Sequence, residues 1–320
     1  MHKVIFDTDP GVDDAMALLF LERHPDIDLI GITTAFGNAS IETTTRNALY
    51  LKQQWNIAAP VSKGSAEQFE PSRRTHPFPA HIHGEDGLGN IGVPSAVDVP
   101  LDPRPAHQFI IDTVKTNPGE VTLVAVGRMT NLANALKAAP EIAGLVKEVI
   151  IMGGAVDVPG NVTPAAEANI HGDPEAADYI MIAPWKVVVV GLDVTLKTTM
   201  SRAELAELAT RGGEPMQLLD RLSQFYIDFY DGEVADSMVV HDTCACVYLV
   251  RPDLFQTRSG PIRVVCGGIA DGQTIQKPDG RGFGPSDWDG DLPSQKICTE
   301  IDAPAVLKLI HDVIVAVRED

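Results

Sequence analysis

Four carboxylates fall within eight positions near the start of the chain: Asp7, Asp9, Asp13 and Asp14, in the stretch VIFDTDPGVDDAMALLF at residues 4–20. One or two aspartates at such a place would cap a helix or decorate a turn. Four that converge repel one another unless a cation sits among them. An all-oxygen donor set suits a hard cation such as Ca²⁺ or Mg²⁺, whereas zinc would bring His or Cys at short spacing. The Asp-x-Asp-x-Asp-Gly order and closing Glu of an EF-hand loop are missing, so further ligands must come from elsewhere in the chain.

The elements that must position these groups are legible around them. Val4, Ile5 and Phe6 are β-favouring and uninterrupted, as in a strand buried on both faces. Pro10 and Gly11 end that strand and turn the chain. Asp7 and Asp9, if extended, point to the same side. Asp13 and Asp14 open a helix whose N-terminal N–H groups favour negative charge, and an amphipathic run continues from Ala15. The predicted order is strand, acidic turn, helix.

Other polar groups recur at the ends of predicted elements. Residues 27–34 read as a second strand, followed by Gly37 and Asn38 and a helix over residues 41–54. Open α/β sheets bind ligands at such strand ends, although alone Asn38 is a turn residue or a cap. Residues 65–95 are rich in Pro, Gly and His without a period, and a loop of that length is a functional lid or is disordered. Its His76, His81 and His83 invite zinc, but no second ligand group stands at a recognisable spacing. After a helix near residues 106–115, strands are expected over 121–126, 146–152 and 187–195, with helices over 132–139 and 173–181. Asn161, Glu167 and Asn169 fit neither a strand face nor a helix stripe; a ribose pocket needs such a mixture of amides and a carboxylate, because each sugar hydroxyl donates and accepts, but taken alone they are loop residues. Asp193 is expected to support the core.

Two more helices are expected over 201–209 and 215–230. Phe225, Tyr226, Phe229 and Tyr230 close the second, at a spacing that ordinarily builds core. His241 and Asp242 lead a further helix. Its Cys244 and Cys246 face different ways and read as small buried side chains rather than zinc ligands. A strand near residues 263–266, a polar Gly-rich excursion over 271–291 and a helix over 303–317 complete the chain. This alternation predicts one α/β domain spanning residues 1–320, with a mainly parallel sheet.

Composition narrows the function. A net charge of -19 argues against nucleic acid, which needs a basic footprint, and makes a neutral substrate more comfortable than a polyanion. The four cysteines show no disulfide framework. The opening MHKVIF enters a strand directly, and no apolar run approaches the roughly 18 residues of a membrane span. A reduced, cytoplasmic protein without membrane contact is expected.

DTDPGVDDAMALL resembles the N-terminal signature of the inosine-uridine-preferring nucleoside hydrolases, which are calcium-dependent N-ribohydrolases. HGEDG at residues 83–87 resembles that family's HGxxG loop, GNVTPAAEAN at 160–169 its GNxTxxAEFN segment, and HDTCA at 241–245 its HDPCA. These four motifs stand in family order from the first strand to the region of Phe255. The resemblance implies a Rossmann-like open sheet flanked by helices, assembled as a homodimer or homotetramer. It also implies hydrolysis of ribonucleosides to free base and ribose, in salvage or catabolism.

It further implies Asp9, Asp14, Asp242 and the backbone carbonyl of Val126 as Ca²⁺ ligands. Asp13 then becomes the general base towards a calcium-bound water. His241 faces the departing base and protonates it, a task suited to a near-neutral pKa. Asn38 lies near the ribose and the water, His83 contacts the nucleoside, Asn161, Glu167 and Asn169 grip the ribose hydroxyls, and Phe229 walls the base. A 5'-phosphate would find acidic surroundings and no arginine clamp, so nucleosides are expected over nucleotides.

Two positions depart from the family pattern. Arg128-Met129 replaces the usual Pro-Leu of Gly-Pro-Leu-Thr-Asn, and an arginine beside a cation site is expected to point outward. Ala168 stands where Phe is usual, which leaves purine or pyrimidine preference open. Two rivals remain: a haloacid-dehalogenase-type phosphatase with Asp7 as nucleophile, and a calcium-dependent nucleoside-binding protein without turnover.

Overall fold

A computed structural model describes residues 1–72, 77–283, 288 and 291–316. In chain order the strands are β1 (His2–Thr8), β2 (Ile27–Thr34), β3 (Val61–Ser62), β4 (Val121–Ala125), β5 (Glu148–Met152) and β6 (Val187–Val190). They continue with β7 (Thr199–Ser201), β8 (Ser237–Val239), β9 (Phe255–Gly260), β10 (Ile262–Val264), β11 (Thr274–Gln276) and β12 (Gln295–Ile301). The helices are α1 (Val12–Arg23), α2 (Ile41–Gln54), α3 (Ala80–His83), α4 (Ala106–Thr116), α5 (Thr130–Ala138) and α6 (Ala168–Gly172). After them come α7 (Pro174–Met181), α8 (Leu192–Thr195), α9 (Arg202–Arg211), α10 (Gly213–Tyr230), α11 (Asp242–Val250) and α12 (Ala303–Val315).

Eight strands make one sheet in the order β3-β2-β1-β4-β5-β6-β12-β9. All neighbours run parallel except β9, which is antiparallel to β12. β10 with β11, and β7 with β8, form separate ribbons. The central strands are runs of Val and Ile because both faces are covered. Alternation along them divides the core: Val4, Phe6, Val124 and Ile150 pack with α1, α10, α11 and α12, while Ile5, Leu123, Val149 and Ile151 pack with α4, α5 and α7.

Both edges of the sheet are short or covered. β3 offers only two residues. At β9 the Gln276 side chain donates to the Arg258 and Gly260 carbonyls, and the Asp279 N–H bonds the Ser259 carbonyl. Among the described residues no helix is long and apolar enough to cross a membrane.

Three expectations are corrected. α1 is not amphipathic: every residue from Val12 to Leu21 is buried, since α10, α11 and α12 enclose it. The strand expected to run to residue 195 ends at Val190, where Gly191 turns the chain into α8. β9 and β12 pass unforeseen, because their sequences FQTRSG and QKICTEI are largely polar. Within the aperiodic segment after β3, residues 86–93 wrap around Asp86, whose carboxylate accepts the N–H groups of Leu88, Asn90, Gly92 and Val93.

Candidate active site

The chain order places β1 and β4 side by side, with β2 and β5 beyond them on either side. Their C-terminal loops therefore meet at the point where strand order reverses, the usual ligand crevice of an open α/β sheet. A cavity of ≈ 410 Å³ opens there. It gathers Asp9, Asp13, Asn38, His83, Val126, Asn161, Glu167, Asn169, Phe229, His241 and Asp242, eleven of the twelve residues expected at the site. Asp14 lies behind this wall.

Asp14 occupies the first turn of α1 and accepts four hydrogen bonds. Its Oδ2 accepts the Gly11 N–H at 3.0 Å and the Asn38 amide at 2.8 Å; its Oδ1 accepts the Thr8 hydroxyl and the Asp9 N–H. Asp9 Oδ2 accepts the Asn38 N–H at 2.8 Å, while its Oδ1 is buried without a hydrogen-bond partner. Asn38 thus holds two carboxylates in place. Glycines give Asp9 its clearance: a Cβ on Gly37 would lie 1.9 Å from Oδ2 and one on Gly127 2.5 Å from Oδ1.

One oxygen from each of Asp13, Asp14 and Asp242 lies within 4.8 Å of the others, and all three residues are buried. Burial, followed by the neighbouring Asp14 charge, pushes the Asp13 carboxyl up to about 8. Burial, and then the carboxylates of Asp13, Asp14 and Asp9, hold Asp242 well above the usual carboxylate range. So concentrated a set of buried acids, with the orphaned Asp9 Oδ1 beside it, fits a metal ion held by oxygen.

Asp7 does not join this group. It faces the sheet interior, where its Oδ2 accepts the Thr33 hydroxyl at 2.5 Å and the Asn131 amide at 2.9 Å, and burial pushes it up to about 7. A strand residue enclosed in this way cannot serve as a phosphatase nucleophile. The histidine zinc cluster also fails to assemble: the metal-competent group of three among the described residues is the aspartate one. His76 lies outside the described residues.

α6 and the loop before it form the sugar-sized flank. Glu167 caps α6, its carboxylate accepting the N–H groups of Gly154, Asn169 and Ile170 at 2.9, 2.9 and 3.1 Å. The Asn169 amide donates to the Val126 carbonyl at 2.6 Å. Asn161 is exposed and accepts the Ala168 N–H at 3.0 Å. Asp193 accepts the N–H groups of Val156 and Asp157, fixing the start of that loop.

The opposite flank is aromatic. Tyr226 and Tyr230 line the cavity with Phe229, which is 37% exposed. Tyr226 lies near enough to Asp13 to offset part of the burial effect on its carboxyl, a neighbourhood the sequence pattern concealed, because residues 226 and 230 share one helical face that looks like core. His83 accepts the Val12 N–H at 3.3 Å, and its ring centroid lies 5.2 Å from that of Tyr226. His241 Nδ1 contacts the Thr195 hydroxyl at 2.9 Å and Nε2 the Tyr230 hydroxyl at 3.1 Å. Burial pushes the His241 imidazole down to about 4, away from the near-neutral value expected.

Arg128 turns inward, against expectation. Its guanidinium carbon lies 4.5 Å from the Phe36 ring centroid, it lines the cavity, and it feels the charges of Asp9 and Asp173. Gly172 makes the room: a Cβ there would sit 2.4 Å from Arg128 Nε. The premise that a 5'-phosphate would meet no arginine is thereby removed.

A parallel α/β sheet that gathers buried carboxylates, amides and aromatic side chains around a cavity of ≈ 410 Å³ at its switch point is the class of an α/β enzyme acting on a small molecule. Over residues 4–308 the chain matches the family described as inosine-uridine preferring nucleoside hydrolase. It is 37% identical over 318 residues to the probable uridine nucleosidase 1 of Oryza sativa subsp. japonica, covering 98% of this chain and 97% of the relative. It is 36% identical over 277 residues to the inosine-uridine preferring nucleoside hydrolase of Leishmania major, covering 86% and 87%. Among solved structures, a plant nucleoside hydrolase superposes with a TM-score of 0.94 at 36% identity over 99% of both chains. A purine-preferring ribonucleoside hydrolase from Gardnerella vaginalis superposes with a TM-score of 0.89 at 31% identity over 98% of both. The chain belongs to the inosine-uridine preferring nucleoside hydrolase family.

Proposed function

We propose that this enzyme cleaves the N-glycosidic bond of ribonucleosides with Ca²⁺ as cofactor, in nucleoside salvage or catabolism. The observation that carries the reading is the convergence of Asp13, Asp14 and Asp242 at one end of a cavity whose flank bears Asn161, Glu167 and Asn169. Asp9, Asp14, Asp242 and the Val126 carbonyl would hold the ion. When bound, it neutralises these acids and acts as a Lewis acid towards water and sugar hydroxyls.

Asp13 is assigned as the base that takes the proton of the attacking water, with Tyr226 beside it at the cavity. A second assignment has an observation in its favour: Asp9 Oδ1 is buried and unpartnered, so Asp9 would compete for that proton if the ion were held by Asp14, Asp242 and the Val126 carbonyl without it. The remaining carboxylates favour an oxocarbenium-like sugar electrostatically. Asn169 and Glu167 retain acceptor capacity for ribose hydroxyls, and the Asn161 amide retains its donors. His83 and Phe229 wall the base. Protonation of the departing base is assigned to the His241–Tyr230 pair, bonded at 3.1 Å.

The test is ribose release from uridine, inosine, cytidine and adenosine by native protein, Asp13→Asn and Asp9→Asn, with and without chelator. Native protein is expected to release ribose, chelation to stop it and CaCl₂ to restore it. Loss of the base should cost about 10²- to 10⁴-fold in kcat. Turnover indifferent to chelation would overturn the calcium assignment. Full activity in Asp13→Asn alongside its loss in Asp9→Asn would transfer the base to Asp9.

A further inference from the structure

We propose that Arg128 is a built-in counter-charge that loosens the site's hold on its cation, an inference that rests on the metal reading above. Among the described residues Arg128 is the one Lys or Arg lining the cavity. Its donors have no hydrogen-bond or ion-pair partner there. Stacking on Phe36 at 4.5 Å holds the guanidinium plane, and Gly172 admits its Nε. Val126, whose carbonyl is a candidate ligand, lies two residues before it.

The charges felt by Arg128 are those of Asp9, which also lines the cavity, and Asp173, which does not. Asp173 is already occupied by the Thr130 hydroxyl and by the N–H groups of Phe69 and Ala176, at 2.8 and 3.3 Å for the latter two. Asp9 has one empty oxygen. A fixed positive charge here acts in opposite directions on the two states of the site. Without a cation it relieves the repulsion among the acids, and with one bound it repels the ion. Removing it should therefore weaken the empty protein and tighten the filled one, which a packing role would not do.

The experiment titrates CaCl₂ calorimetrically into chelator-stripped native protein, Arg128→Met and Arg128→Lys, and records thermal unfolding of each with and without CaCl₂. A unit charge that shares one partly screened cavity with a divalent ion should alter affinity on the order of tenfold. Arg128→Met is expected to bind Ca²⁺ about that much more tightly, to melt below the native protein when stripped, and to gain more from CaCl₂. Arg128→Lys should stay near native. If Arg128→Met fails to fold, Gly172→Ala, whose Cβ would displace the guanidinium, carries the same expectation. Unchanged or weaker Ca²⁺ affinity, or equal destabilisation with and without CaCl₂, would overturn the proposal. If the native protein itself takes up no Ca²⁺, the calcium reading has failed first and this inference falls with it.

Discussion

Glu167 faces the cavity and at the same time anchors three backbone N–H groups that fix the loop between β5 and α6. Replacing one oxygen by an amide points donor at donor, so Glu167→Gln should cost about 1–3 kcal/mol of stability as well as activity. Asn161 is exposed and holds one N–H. Asn161→Ala should leave stability within about 0.5 kcal/mol and appear in kcat/KM instead. Urea unfolding beside steady-state kinetics separates the two, and an unchanged midpoint for Glu167→Gln would refute the anchoring role. Residue types alone left Glu167 and Asn161 as loop residues, and it was the match of residues 160–169 to the family's GNxTxxAEFN segment that nominated them. Residue direction was not legible. Asp7 and Asp9 are both acids next to one strand end, yet Asp7 meets Thr33 and Asn131 from distant segments while Asp9 meets the cavity. Arg128 turns inward because of Phe36, Gly172 and two acids, none of which adjoins it in sequence.

At the scale of elements, the site is a set of strand-end turns whose spacing depends on missing side chains. Gly37→Ala would drive a methyl to within 1.9 Å of Asp9 Oδ2, between the turn after β2 and the acidic turn after β1. Either the turn or the carboxylate must move. The expected result is a loss of Ca²⁺ affinity and of at least about 10²-fold in kcat/KM, with a fold that still melts cooperatively. Calorimetric titration and far-UV circular dichroism check it, and native-like Ca²⁺ binding would contradict the geometry. Element identity was largely readable, as α2 shows by running over the predicted residues 41–54. Where the reading failed, a physical ambiguity was responsible. A short apolar run does not distinguish a strand from a buried helical turn, hence the overrun past Val190. A helix at the centre of a three-layer core has no polar face to display, hence α1.

For the whole molecule, the buried acids set the response to pH. Asp7 and Asp13 are raised by burial from 3.8 to about 7 and about 8, and Asp9, Asp14 and Asp242 are raised as well. A carboxyl whose folded pKa is raised binds its proton more tightly when folded. The metal-free protein should therefore lose stability as pH climbs from about 4, the unfolded value, through about 8, the value of Asp13. The overall charge of -19 works in the same direction through self-repulsion. CaCl₂ should reverse the trend, with its largest stabilisation at the alkaline end. Melting temperatures from pH 4 to 8 with chelator and with CaCl₂ provide the check, and a stripped protein more stable at pH 8 than at pH 5 would contradict it.

The edges of the central sheet bear on how the folded protein meets its own kind. A two-residue strand at one side, and at the other the carbonyls of residues 258–260 engaged by Gln276 and Asp279, shorten the template offered to an incoming extended chain. Fibrillar recruitment of native molecules is thereby discouraged.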